Sequence, residues 1–210
     1  MTPRATPMPA EDRRRAIVEA ILPIILETGA MPSTREIAAA AGVAEGTIFR
    51  VFDDKPALLH AVAEHVLNPP GRDEAFRAMV LDRPELRDKV RLVVDRMQET
   101  SRRAMSVLMV LRQHLGQHPE ARHLPKQGRD PKGPPEFIVR ANEVLLERLV
   151  FIFDQHRDEL RTDPETAALV LRSLVFGSQH PGMTGPAPLT PDQIADVVLH
   201  GVSRKDEPCS

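Results

Sequence analysis

Gly46, Thr47 and Arg50 share one face if the residues around them form a helix, because Arg50 follows the other two by four and three positions. Such a face could meet the edges of nucleic-acid bases. The Arg50 guanidinium can donate two parallel hydrogen bonds to guanine, and Thr47 can offer its hydroxyl to a phosphate or its methyl to a thymine. Gly46 would let a backbone come close. Lys55 is placed for the phosphate backbone, and Phe49 can only pack. Glu45, at the same end, would repel phosphate unless it accepts from a cytosine amino group.

Two other clusters invite different chemistry. His114 and His118 are four apart with His123 beyond, a spacing that could grip a transition metal, but Gly116 and Pro119 cut that helix short. Surface histidines are the expectation, with no metal. Asp154, His156 and Asp158 suggest hydrolytic work, yet no serine on a glycine elbow and no glycine-rich phosphate cradle accompany them. No catalytic residue and no cofactor are expected.

The elements that must carry residues 46–50 are marked by local signals. From Glu11, Ile17, Ala20, Ile21 and Ile24 recur at helical spacing up to Gly29, and Pro23 should bend this helix without breaking it. Ser33-Thr34-Arg35-Glu36 is a capping box that starts a short helix with Ile37, Ala38 and Ala41 on its apolar face. Gly42 ends it, and a second short helix follows the Val43-Ala44 turn. This makes a helix-turn-helix. Ile48, Val51 and Phe52 should hold the second helix on Ile21, Ile37 and Leu58. Asp54 caps the next helix, and Asn68-Pro69-Pro70-Gly71 ends it.

Beyond that boundary the pattern stays helical, at about 73–82, 84–103, 104–117, 136–160, 164–180 and 191–203. Proline and glycine among charged residues mark 118–135 as a long, mobile loop. The expected fold is all-α, with a flexible arm over 1–10, a three-helix helix-turn-helix domain over 11–68, a helical ligand-binding and dimerisation domain over 72–204, and a tail over 205–210. The chain has 210 residues, 41% of them hydrophobic, which is enough for such cores, and a net charge of −2 excludes a polycation that coats nucleic acid indiscriminately. Aromatic residues at 3% are poor material for stacking single-stranded bases. Cys209, the one cysteine, cannot form an internal disulfide. No window approaches a membrane span and Arg13–Arg15 precede no secretory cleavage pattern, so a soluble, cytoplasmic protein without a membrane partner is expected.

The run Ser33-Thr34-Arg35-Glu36-Ile37-Ala38, then Ala41 through Phe52, then Lys55 with Leu58-Leu59, resembles the TetR-type transcriptional regulators in order and spacing over residues 13–60. The resemblance implies a repressor-like homodimer whose helix-turn-helix binds near-palindromic double-stranded operator DNA and which a small-molecule effector releases. It places Ser33, Thr34, Arg35, Ala44, Glu45, Gly46, Thr47, Phe49, Arg50 and Lys55 at the DNA. The amides at the two helix starts, Ser33 and Ala44, would attract phosphate. The chain departs from the family where Phe49 stands for a common tyrosine, Ala44 for a capping serine and Val51 for a tyrosine or histidine. Lysine and arginine number seven against eight acids over residues 1–55, so affinity must come from placed cations, Arg4 and Arg13–Arg15 included, unless the latter are only a solvated face.

Methionine fills irregular space, so Met97, Met105, Leu108 and Met109 facing Leu145 and Leu149 could bound a cavity for a lipophilic effector. Arg112, Gln113, His114 and Asn142 are its candidate polar groups. Ordinary core is the alternative role for each. Ala167, Leu171, Leu174 and Val175, with Ile194, Val197 and Val198, are the expected dimer interface, unless they pack within one chain. Two other functions remain open: a DNA-binding regulator with no effector, and a helical small-molecule-binding protein or hydrolase.

Overall fold

The computed structural model describes residues 9–69, 71–117, 136–179 and 188–202. Residues 1–8 with Arg4, 70, 118–135 with His118 and His123, 180–187 and 203–210 with Cys209 lie outside the described residues, and with them the expected arm, mobile loop and tail. Among the described residues every regular element is helical: α1 (Ala10–Thr28), α2 (Thr34–Ala41), α3 (Glu45–Val51), α4 (Lys55–Leu67), α5 (Arg72–Leu81), α6 (Leu86–Gln117), α7 (Glu136–Asp154), α8 (Pro164–Ser178) and α9 (Pro191–Val202), with a 3-10 turn at Arg157–Glu159.

Packing groups Met1–Pro69 with Arg102–Gly133, and Pro70–Ser101 with Pro134–Ser210. The C-terminal part of α6 therefore groups with the N-terminal helices, where a division at residue 72 was expected. Helices expected at 84–103 and 104–117 are also one helix, because Arg102-Arg103-Ala104 contains neither a breaker nor a cap. Conversely, α7 stops at Asp154 rather than running to 160, and the chain passes through the 3-10 turn before Asp163 restarts it.

In the first unit α1 packs on α2, α3 and α4. Its buried stripe is Ile17, Val18, Ile21, Leu22 and Ile25. Glu11 and Asp12 sit in its first turn, where acids suit the helix dipole. Pro23 lies inside the helix at an exposed position and does not end it. Gly29 ends it with φ 64°, a left-handed conformation that favours glycine, and donates its N–H to the Ile25 carbonyl at 2.9 Å. Ile37, Ala38, Ile48, Phe52, Leu58, Leu59 and Val62 complete this core.

The caps expected from the sequence form. Glu36 N–H donates to Ser33 Oγ at 3.3 Å, and Ser33 N–H donates to Glu36 Oε2 at 2.8 Å. Ala57 N–H donates to Asp54 Oδ1 at 2.7 Å, and Pro56 lies in the first turn, where its missing donor has no role.

In the second unit, Val90, Val93, Val94 and Met97 of α6 meet Leu149, Ile152 and Phe153 of α7 in one core with α8 and α9. Thr190 and Gln193 form a second reciprocal cap before α9, through Thr190 N–H to Gln193 Oε1 at 2.9 Å and Gln193 N–H to Thr190 Oγ1 at 3.2 Å. Arg91 reaches Asp192 at 2.6 Å and Arg148 reaches Asp73 at 2.6 Å, tying α6 to α9 and α7 to α5.

The faces expected for dimerisation need correction. Ala167, Leu171, Val175, Ile194 and Val198 are buried inside the single chain and Leu174 is half-buried, so of that set only Val197 is left on the surface. Exposed apolar surface lies instead on the other side of α8, where Leu169 and Val170 are 41% and 43% exposed, and at Val197 of α9, 58% exposed. The side chain of Val202 lies outside the described residues.

Gly42 has φ 64°, so Gly42→Ala should cost about 1–2 kcal/mol in denaturant unfolding, with Gly42→Asn costing less. The capping box also predicts a pH dependence. The Ser33 hydroxyl and N–H hold the Glu36 carboxyl below its ordinary range, with Lys55 adding a weaker pull. A depressed folded-state pKa means that the contribution is complete above the unfolded carboxylate range and lost as pH falls through the lowered value. Glu36→Gln should therefore flatten that part of the acid limb when unfolding midpoints are compared with wild type across pH.

Candidate nucleic-acid interface

The turn between α2 and α3 is set by backbone hydrogen bonds. Gly42 N–H donates to the Ala39 carbonyl at 3.3 Å and Val43 N–H to the Ala38 carbonyl at 3.0 Å, which closes α2 through a left-handed residue. Ala44 is extended, with φ −73° and ψ 145°, and offers no side-chain cap. Thr47 N–H donates instead to the Ala44 carbonyl at 2.8 Å.

This start orients α3 so that its two sides separate by chemistry. Ile48 is buried and Val51 half-buried. Ala44, Glu45, Gly46, Phe49 and Arg50 are exposed, and Thr47 is half-buried. On α2, Ser33 and Arg35 are exposed and Thr34 is half-buried, and Lys55 is half-buried at the start of α4. Phe49 does not pack as expected; it is 55% exposed and belongs to the outward side. Phe52, which follows α3, is the aromatic that packs, and Arg14 lies over its ring at 4.6 Å from the centroid.

Gly46 is the least explained residue in this segment on structural grounds alone. It has ordinary helical backbone, and a Cβ there would meet nothing within 4 Å. It is the second residue of α3, in the first turn, where glycine costs up to about 1 kcal/mol relative to alanine. Nothing among the described residues requires it.

Charges are divided between structure and surface. Glu36 is engaged with Ser33, and Asp12 pairs with Arg15 at 2.5 Å. Arg35 and Arg50 make no hydrogen bond or ion pair among the described residues. Glu45 stays exposed in the first turn of α3.

The residues expected to bound an effector cavity do not gather in one place. Met97, Leu145 and Leu149 belong to the core of the second unit, and Asn142 is half-buried there. Met105 and Met109 are 54% and 66% exposed, Leu108 is half-buried and Arg112 is exposed. Two clefts have other linings. One of about 270 Å³ in the first unit is bounded by Ala30, Met31, Lys55, Val110, Gln113, His114 and Gln117. The other, about 130 Å³ in the second unit, is bounded by Asp73, Phe76, Arg77, Val144, Glu147, Arg148 and Phe151. Gln113 and His114 were legible as polar candidates; the rest of either lining converges from distant segments and had no sequence signal.

The hydrolytic cluster is not assembled. Asp154 holds Arg157 at 2.6 Å, and His156 Nδ1 lies 2.5 Å from Glu159 Oε1. Among the described residues no group of three His, Cys, Asp or Glu side chains could hold a metal ion, and no helix is long and apolar enough to cross a membrane.

Comparison with known proteins bears on this helix-turn-helix directly. Residues 24–62 match the family described as bacterial regulatory proteins, tetR family, a span running from inside α1 to inside α4. Among solved structures, a Mesorhizobium loti MAFF303099 protein put forward as a TetR-family transcriptional regulator is 16% identical, with 93% of this chain and 96% of that one covered and a TM-score of 0.59. A Saccharomonospora viridis protein put forward as a transcriptional regulator, in complex with choline, is 17% identical over 93% of this chain and 100% of that one, with a TM-score of 0.58. SmeT, in complex with triclosan, is 19% identical over 93% of each chain, with a TM-score of 0.53. At these identities the likeness to the solved structures is one of fold. Residues 24–62, which hold the helix-turn-helix, thus match a tetR-family pattern, and the helices around them share the fold of these solved structures.

Proposed function

We propose that the chain is a dimeric transcriptional repressor whose helix-turn-helix reads near-palindromic operator DNA and whose grip falls when a small molecule binds. The observation that carries this reading is Gly46, a glycine in the first turn of α3 with open space above it and, among the described residues, no structural need for its missing side chain. It supports close approach of the α3 backbone to a duplex. Arg50, one turn later on the same exposed side, is the base-reading residue, and Thr47 sits between them. Arg35 and Lys55 serve phosphates, and Phe49 offers apolar contact to a thymine methyl.

Two copies are needed to read a palindrome. The exposed side of α8 carries Glu165 and Thr166 in its first turn and then the uncharged Leu169, Val170, Ser173 and Gly177, and Val197 of α9 adds apolar surface. A second copy would cover these residues, and two-fold pairing sets two recognition helices about 34–36 Å apart. Leu169, Val170 and Val197 therefore replace the buried residues as the dimer contacts.

Release requires a ligand with different affinities for the DNA-bound and free forms. Choline is a small cation and triclosan a chlorinated aromatic, so this fold is compatible with unlike ligands in different proteins. The chemistry of a ligand for this chain must come from its own side chains.

Duplexes selected by the protein from a random pool test the reading. Arg50→Ala should lower discrimination between the selected sequence and random duplex by about 1–3 kcal/mol, while Lys55→Ala should weaken all duplexes alike and reduce the salt slope by about one. Equal behaviour of the two variants, or no sequence selected at all, removes the assigned roles. Gly46→Ala should raise folding stability by up to about 1 kcal/mol and yet weaken duplex binding. If it binds as well as wild type, the close approach is wrong. Val170→Glu should leave the circular dichroism intact and shift sedimentation from dimer to monomer; an unchanged sedimentation coefficient would place the interface elsewhere.

A further inference from the structure

The cleft of about 270 Å³ in the first unit is not part of the helix-turn-helix surface, but it shares a residue with it. Lys55 lines the cleft and is also the residue assigned to a phosphate. Opposite, the last turns of α6 supply the carboxamides of Gln113 and Gln117 and the imidazole of His114. Met31 and Val110 give the cleft an apolar part. Among the described residues no acidic side chain lines it, and Lys55 carries the permanent charge. Glu36 is near enough to feel Lys55 but is engaged with Ser33.

We propose that this cleft is a binding site for a small organic carboxylate, and that the carboxylate competes with the DNA backbone for Lys55. An ammonium with neighbouring carboxamides presents several donors to one anion, and charge-assisted hydrogen bonds are about twice as strong as neutral ones. The Lys55 ammonium in this lining favours an anion over a choline-like cation. The volume lies just below the roughly 300 Å³ at which drug-sized sites begin, so the ligand is an acid with a short apolar body rather than a polycyclic molecule. The apolar part rests against Met31 and Val110 while the carboxylate meets Lys55 and Gln113. The competition half of the proposal rests on the DNA-binding reading above. The binding half does not.

The test uses the full chain labelled with 13C at the methionine methyl groups, with Met31 assigned through Met31→Leu. Acetate, butyrate and benzoate are titrated beside acetamide, butyramide and benzamide at constant ionic strength. The carboxylates should move the Met31 methyl signal saturably, with benzoate or butyrate binding more tightly than acetate, and the amides should not. Lys55→Met, which keeps the aliphatic stem, and Gln113→Leu should each weaken carboxylate binding by about tenfold or more, with unaltered circular dichroism. If no carboxylate moves Met31 more than its amide does, the site is overturned while the DNA-binding reading stands. Duplex titrations then test the competition. Apparent duplex affinity should fall with carboxylate occupancy in wild type, and this sensitivity should vanish in Lys55→Met, whose duplex binding is already weaker. Carboxylate bound at Met31 with undiminished duplex affinity overturns the competition alone, and a protein that binds no duplex overturns the functional reading and with it the competition, leaving the measured carboxylate site in place.

Discussion

The helices that form the candidate interface are too short to stand alone. α2 has eight residues and α3 seven, below the roughly 12–15 at which an isolated helix becomes even marginally stable in water. They persist because Ile37, Ala38, Ile48 and Phe52 are buried in the core where α1 packs on α2 and α3, and each large apolar side chain so buried contributes about 1.5–3 kcal/mol as an upper estimate. That burial also determines what faces outward. With Ile48 inside, the helical period sends Gly46, Phe49 and Arg50 to the other side, so recognition chemistry and folding depend on the same anchor.

Charge placement follows from the same economy of residues. Over residues 1–55 the acids slightly outnumber the bases, so a diffuse positive field cannot hold a polyanion. Several of the acids have structural work: Glu36 closes the box with Ser33, Asp54 caps α4, and Asp12 holds Arg15. Exposed charges are screened beyond about 8–10 Å at physiological salt. In the proposed reading phosphates would therefore respond to the few cations beside them, Arg35 and Lys55, rather than to the sum. An ion pair such as Asp12 with Arg15 removes a cation from that set without adding much stability, since exposed pairs contribute about 0–1 kcal/mol.

Much of this architecture was legible because its signals are local. Ser33 with Glu36, Asp54 with Ala57, Gly29 and Gly42 lie within a few residues of the backbone groups they serve, and each forms as spacing indicates. Periodicity failed where it was ambiguous. α8 is apolar on two sides, with Ala167, Leu171 and Val175 on one and Leu169 and Val170 on the other, and the repeat of 3.6 cannot say which is inside. The break expected near residue 103 had no physical basis, since Arg102 and Arg103 continue a helix as readily as they flank one. The cleft at Lys55 joins residues some sixty positions apart in sequence, and proximity of that kind leaves no mark on any short window.

Sharing Lys55 between a cleft and a duplex has a different logic from changing the spacing of two half-sites. A shift in spacing needs a second conformation of both protomers, and its size is limited by the ligand's differential affinity for the two conformations. Competition at one ammonium needs none, because the occupied cleft and the phosphate contact cannot coexist. Its ceiling is lower: the ligand can remove only what Lys55 contributes, while Arg50 and the remaining α3 contacts are untouched. In a two-fold dimer that loss occurs twice on one operator, so a modest effect per protomer is squared in the binding constant. The loss should fall equally on cognate and random duplex, because the proposed role of Lys55 is at the backbone and not at bases. A ligand acting through half-site spacing would instead erode discrimination, since only the cognate sequence demands that both recognition helices seat together.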